Sequence, residues 1–324
     1  MTVLEHVRVD AVWPAPPAGT GENAPYLGGS VLPGLVDAHV HLGLVDHARL
    51  AGSAVVEVHD LGWLPDAAPA WRATLGPSVH LEAAGPFHTA PGGYPQTRSW
   101  APPGSVRAIT NAREAETAVA ALVTAGAHTL KVTLHTGGPA LSDDLLHTLV
   151  RAAHAAGLTV SAHAEGEGQA QRATTAGADV LVHAPWSERL DDATIAAMAG
   201  SITWISTFAI HEGPARALAL DNARRFTAAG GRLRYGTDMG NGPTPVGVNE
   251  AEILALGAAG LEGDALLGAL TGVHHPDIAD LTDIPATGRL LHNTRPLPRT
   301  AQDCAVWFST AQRLTVAAAE VLSR

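Results

Sequence analysis

The stretch VLPGLVDAHVHLGL, Val31 to Leu44, is an apolar run broken by Pro33-Gly34, and it carries Asp37, His39 and His41 near its end. Its β-branched content reads as a buried strand. Alternate residues of a strand share a face, so His39 and His41 point the same way. Two imidazoles on one face at a strand's end suit the grip of a ligand better than packing.

Further short apolar runs follow the same pattern. Candidate strands are Val31–Ala38, Ala54–Asp60, Val79–Gly85, Thr129–Leu134, Thr159–His163, Val180–His183, Ile202–Ser206 and Leu233–Thr237. Amphipathic helices are expected at Ala112–Ala125, Ser142–Ala156, Glu167–Ala176, Asp191–Ala199 and Val248–Ala259. Ser142 reads as an N-cap and Gly157 lies just past a helix end. Eight strand–helix alternations predict an α/β fold, a closed (β/α)8 TIM barrel. An open doubly wound sheet is the alternative, but no glycine-rich phosphate loop follows the first strand. Residues 1–30 and 285–324 are expected to pair as a small β appendage, leaving 31–284 for the barrel. Within the latter part, Gly288–Thr310 reads as short strands and turns. The segment Gly85–Gly104 is rich in proline and glycine and reads as a long functional loop.

Composition narrows the partners. With 46% hydrophobic residues in 324, the chain can build a large core. A net charge of -11 argues against nucleic acid and anionic membrane surfaces. No apolar run approaches the ~20 residues of a membrane span. The single cysteine, Cys304, suits a reducing compartment, and no signal peptide is visible, so a soluble cytoplasmic protein is expected. A small-molecule substrate is the expected partner, and the apolar content permits a homo-oligomer.

Seventeen histidines is the unusual count. His6, His47, His80, His128, His147, His154 and His292 belong to no motif and read as surface residues; His274 and His275 read as structural. His39, His41, His163 and His183 fall at the ends of the expected strands. A parallel barrel gathers those ends at one mouth, and there stand His39, His41, Lys131, His163, His183 and Asp238. Neutral imidazole and carboxylate suit zinc, manganese or cobalt. One ion would take His39, His41 and Asp238, and a second His163 and His183. Lys131 beside two cations should lose its proton. It can then add carbon dioxide to become a bridging carbamate, bind as a neutral amine, form a Schiff base, or pair with a carboxylate in a one-metal site. Asp60 reads as a fixer of the second strand's loop.

The pieces PGLVDAHVHL, VVEVHDLG, GAHTLKVTLHTGG, GLTVSAHAEG, GADVLVHAPWSERLDD and YGTDMG, in this order over residues 30–275, resemble the metal-dependent amidohydrolase superfamily. The flavour is that of its dipeptidase, imidazolonepropionase and ochratoxinase-like branch. The resemblance implies two divalent ions, zinc first, a carboxylated Lys131 between them, and Asp238 as both ligand and proton shuttle for a metal-activated hydroxide. It also implies that IPATGRL…AQDCAVWF joins the N-terminus in a β-sandwich, reduced here because the N-terminal part is short. Where the family often has Glu-His-Gly, VHAPW stands instead, so Trp186 should reshape the pocket.

Substrate contacts are expected from the loops: His88, Tyr94, Arg98 and Trp100 in the long loop, His135, Trp186, Phe208 and His211. His211 could donate to a developing oxyanion, and Arg98 could grip a carboxylate through two hydrogen bonds. Hydrolysis of an amide-like C–N bond, in a dipeptide, N-acyl amino acid or cyclic amide, is the leading expectation. A lactone, carboxyl ester or phosphate ester is the alternative on the same site. A one-metal deaminase has no need of Lys131, and an inactive scaffold has no need of six intact ligands.

Overall fold

The computed structural model describes residues 8–14, 26–273 and 289–314. Its strands are β1 Ala11–Val12, β2 Ser30–Pro33, β3 Leu35–Val40, β4 Val55–Asp60, β5 His80–Ala83, β6 Phe87–Thr89, β7 Val106–Ala108, β8 Thr129–His135, β9 Thr159–Glu165, β10 Val180–Leu181, β11 Thr203–Ile205, β12 Leu233–Arg234, β13 Leu290–Asn293 and β14 Gln312–Arg313. Between them run α1 Ala68–Leu75, α2 Ala112–Thr124, α3 Asp143–Ala155, α4 Gln169–Ala176, α5 Asp192–Ala199, α6 Gly213–Ala228, α7 Glu250–Ala258, α8 Gly263–Thr271 and α9 Ala301–Thr310.

The expected first strand is two strands. The chain bends at Gly34, where a Cβ would lie 2.2 Å from Val56 Cγ1. Before the bend β2 joins an end sheet; after it β3 opens the barrel. The barrel strands form a seven-stranded parallel sheet, β12-β11-β10-β9-β8-β6-β7, and a three-stranded one, β3-β4-β5. Backbone hydrogen bonds link their edges: Ala38 N–H to the Tyr235 carbonyl (3.1 Å), Asp238 N–H to that of His39 (2.8 Å) and His41 N–H to that of Met239 (2.7 Å). At the other seam the chain itself continues from β5 through Ala84–Pro86 into β6. The result is the expected α/β barrel, with helices outside packing an aliphatic core.

The helix starts follow from their caps. Asn111, Ser142 and Asp191 each accept the N–H three residues on, and Gly157 ends the turn after α3 at φ 78°. The proline/glycine segment after β5 is not wholly loop: Phe87, His88 and Thr89 are buried and form β6, which pairs with β7 and β8.

The two chain ends meet in one four-stranded sheet, β1-β2-β13-β14. Residues 301–310 are a helix, not the strands and turns the sequence suggested. Thr300 and Asp303 form a reciprocal capping box, and Cys304, Trp307 and Phe308 are buried at helical spacing. His6, His274, His275 and the expected junction at 284/285 lie outside the described residues. Among the described residues no helix is long and apolar enough to cross a membrane.

Candidate metal centre

At the C-terminal mouth of the barrel lies a cavity of about 380 Å³, and all of His39, His41, Lys131, His163, His183 and Asp238 line it. Each stands on or just past a barrel strand, Lys131 within β8 and His163 within β9, so its backbone is fixed by the sheet while its side chain faces the cavity. The rings form one contiguous group. His39 is 4.8 Å from His183 and 5.1 Å from His41, and His183 is 5.0 Å from His163, centroid to centroid.

The hydrogen bonds fix the protons. His39 Nδ1 lies 2.9 Å from the Val182 carbonyl, and His41 Nδ1 3.2 Å from that of Gly62. A carbonyl only accepts, so both Nδ1 atoms donate and both Nε2 atoms present bare lone pairs. Those lone pairs face Asp238 Oδ1, at 3.5 Å from His39 and 3.3 Å from His41. Burial holds the His39 and His183 rings well below the ordinary imidazole range, so they are neutral. His39 Nε2 and Asp238 Oδ1 are both buried and neither has a hydrogen-bond partner. Buried acceptors turned toward one another are what a cation satisfies, and the donor set fits a divalent ion of zinc type.

His39 and His41 both reach Asp238, as the expected first ion would need, and His183 lies close to the same group. Ligand atoms of His39, His183 and Asp238 lie within 4.8 Å of one another. His163 Nε2 instead faces Glu165 Oε2 at 3.3 Å. Lys131 is 1% exposed, and burial pushes its amine down to about 7, in keeping with the expected loss of its proton.

Supporting contacts hold the ligand strands. Asp60 accepts N–H bonds from Leu42 (2.8 Å) and Gly62 (3.2 Å), so it fixes the second strand's loop as expected. Asp37 accepts from the Thr237 hydroxyl (2.6 Å) and N–H (2.9 Å), locking the first ligand strand to the segment that carries Asp238. His183 Nδ1 is 2.8 Å from Thr207 Oγ1. Asn241 Nδ2 donates to Asp238 Oδ2 (2.8 Å), leaving Oδ1 for the ligand group.

Of the expected substrate contacts, Tyr94, Trp100, Trp186 and His211 line the cavity. Trp186 stacks on His211 at 4.7 Å. The others are placed elsewhere. His88 is fully buried; its Nδ1 donates to the Lys131 carbonyl (3.0 Å), so it supports the strand and does not meet substrate. Phe208 is 0% exposed, because a single 3₁₀ turn at Phe208–Ile210 turns its ring into the core. His135 stacks behind Tyr94 at 4.9 Å. Arg98 is exposed, its guanidinium 5.4 Å from the Tyr94 ring, and does not itself line the cavity.

Glu165 and Glu252 are among the residues the sequence reading missed. Glu165 lines the cavity, and its position two after His163 repeats the spacing of His39 and His41. Glu252, from α7, accepts the Phe208 (3.0 Å) and Ala209 (2.6 Å) N–H groups and so sets the turn before His211; nothing in the sequence around it marks that role.

No protein-family model and no curated protein matches the sequence. Solved structures do. A Xaa-Pro dipeptidase with bound methionine is 20% identical, with a TM-score of 0.63 over 78% of this chain and 77% of that one. The A. niger ochratoxinase is 18% identical, with a TM-score of 0.62 over 81% and 82%. Phenylurea hydrolase B is 17% identical, with a TM-score of 0.62 over 79% and 78%. The chain therefore has the α/β-barrel fold of these hydrolases, the architecture its sequence resemblance implied.

Proposed function

We propose that this chain is a metal-dependent amidohydrolase that cleaves an amide-like C–N bond. The observation that carries the reading is the pair of buried, partnerless acceptors His39 Nε2 and Asp238 Oδ1, 3.5 Å apart. His39, His41, His163, His183 and Asp238 would hold two divalent ions, zinc first, with a carbamate on Lys131 joining them. When bound, the ions supply Lewis acidity and a water whose pKa is lowered toward 7.

The protein's own groups do the rest. Asp238, ionised and steadied by Asn241, takes a proton at Oδ1 and returns it to the departing nitrogen, as base and then acid. Burial pushes His211 down to about 4, so the ring is neutral and can donate one hydrogen bond to the carbonyl oxygen. Its stack on Trp186 holds its orientation. Phe87, Tyr94, Trp100 and Trp186 supply aromatic walls, which suit an apolar or aromatic acyl or amine portion. The names of the similar structures, a dipeptidase, an ochratoxinase and a phenylurea hydrolase, all denote hydrolases and support the same class.

The test is removal of metal with a chelator, then return of zinc, manganese or cobalt, assayed on N-acyl amino acids, dipeptides, aryl ureas, lactones and aryl esters. Loss and recovery of C–N hydrolysis is expected. Turnover unaffected by the chelator overturns the metal reading. Restored activity on esters or lactones alone overturns the C–N assignment.

A further inference from the structure

A second group of metal-ligating side chains lies deeper in the barrel, toward its N-terminal end. Glu57 and His59 share a face of β4, Glu82 is on β5, and His128 immediately precedes β8. His128 Nε2 is 2.7 Å from Glu82 Oε2, His59 Nε2 is 3.9 Å from the same oxygen, and Glu57 Oε1 is 2.9 Å from His59 Nε2. The ligand atoms of His59, Glu82 and His128 all lie within 4.8 Å of one another, the same spread as His39, His183 and Asp238. Two residues further along these strands, Leu61 and Ala84 join Ala38, Val182 and Ile205 in an apolar cluster. That cluster separates the group from the catalytic cavity.

Placement gives the group a task. β5 pairs with β4 but with no residue of β8; the chain beyond it, as β6, meets β8 only at His88–Val132, six residues beyond Glu82. The barrel wall is thus unlaced in its lower part, and Glu82 and His128 are the side chains that face each other across the gap. We propose that His59, Glu82 and His128 form a zinc-type site that ties β5 to the start of β8. Two imidazoles and a carboxylate are a borderline donor set of the kind that holds zinc. The N-terminal end of a barrel serves stability.

Arg289 lies 3.5 Å from the outer oxygen of Glu57 and holds that carboxylate outside the group, and Arg234 faces the same end of the barrel from β12. The side chains of Glu82 and His128 are 29% and 37% exposed, which gives an ion its way in.

The experiment titrates the metal-free full-length chain with zinc and counts ions per chain by mass spectrometry. Wild type is compared with Glu82→Gln and His128→Gln, and a zinc-edge anomalous map is taken from a zinc-loaded crystal. Each variant should hold one zinc fewer than wild type and lose part of the zinc-dependent rise in unfolding temperature. Hydrolysis by the zinc-loaded variants should stay within twofold of wild type. The map should show a peak bonded to His59, Glu82 and His128. Equal ion counts in wild type and His128→Gln, or no peak there, overturn the proposal and leave a hydrogen-bonded network only. Should Glu82→Gln fail to fold, His128→Gln, at a partly exposed ring, carries the test.

Discussion

Asp238 is held at φ 50°, a left-handed conformation uncommon outside glycine, with its N–H on the His39 carbonyl at 2.8 Å. Asparagine tolerates that backbone, so Asp238→Asn should fold. It should lower kcat by about 10²–10⁴, the span that proton transfer contributes; kcat near wild type in the loaded enzyme removes Asp238 from the shuttle. Glu252 makes a pH prediction. Burial raises its carboxyl to about 7 from an ordinary 4.5. A raised carboxyl favours the folded state while it keeps its proton, so stability is fullest below pH 4.5 and is lost as pH rises through 7. At ~1.4 kcal/mol per unit the loss is about 3 kcal/mol. Urea unfolding at pH 5 and pH 8 should show a drop that Glu252→Gln reduces; an equal drop in the variant excludes this carboxyl as its source. That six side chains line one cavity was legible because the strand alternation that makes a barrel also dictates where its residues point. Arg98, Phe208 and His88 were not, because a loop's or a broken strand's path decides which way its side chains turn. Their residue types alone carry no such direction.

Elements close the barrel through contacts that small residues allow. A Cβ on Gly236 would lie 2.3 Å from Ile205 Cγ2 and 3.1 Å from His39 N. Gly236→Ala should therefore cost about 1–3 kcal/mol by overpacking, read as a shifted denaturant midpoint; an unchanged midpoint means the seam yields there. The capping box of α9 gives a second measurable term. Thr300→Ala should cost about 1 kcal/mol, with the far-ultraviolet spectrum nearly unchanged. The capped, amphipathic α2, α3 and α5 were readable from sequence. The helix at Ala301–Thr310 was not, because a resemblance to terminal strands outweighed the Thr300–Asp303 signal that was present. The strand at Phe87–Thr89 was masked by the prolines and glycines after it, which describe the loop and not its buried start.

Across the whole molecule, alternation of strands and helices announced a barrel, but the split of its third strand arises from long-range pairing. The pairing of His88 with Val132 and of Glu57 with His80 depends on segments more than 20 residues apart, and no local pattern encodes it. Ligand binding should be felt globally: adding zinc to the stripped chain at 1,000 times its dissociation constant should stabilise it by about 4 kcal/mol, seen as a concentration-dependent unfolding temperature. A transition that ignores zinc would mean the ligands do not bind it in the folded state.

The bend at Gly34 leaves no slack between the end sheet and the barrel. Ser30–Pro33 is clamped against Leu290–Asn293, and His39 follows only five residues after the bend. The C-terminal strand pair thus works as a tether on the aim of the first two ligands. Clipping the chain before Leu290 should weaken metal affinity as well as lower the melting point, although the cut removes no ligand. A distant proteolytic event would be reported at the mouth of the barrel as a loosened grip.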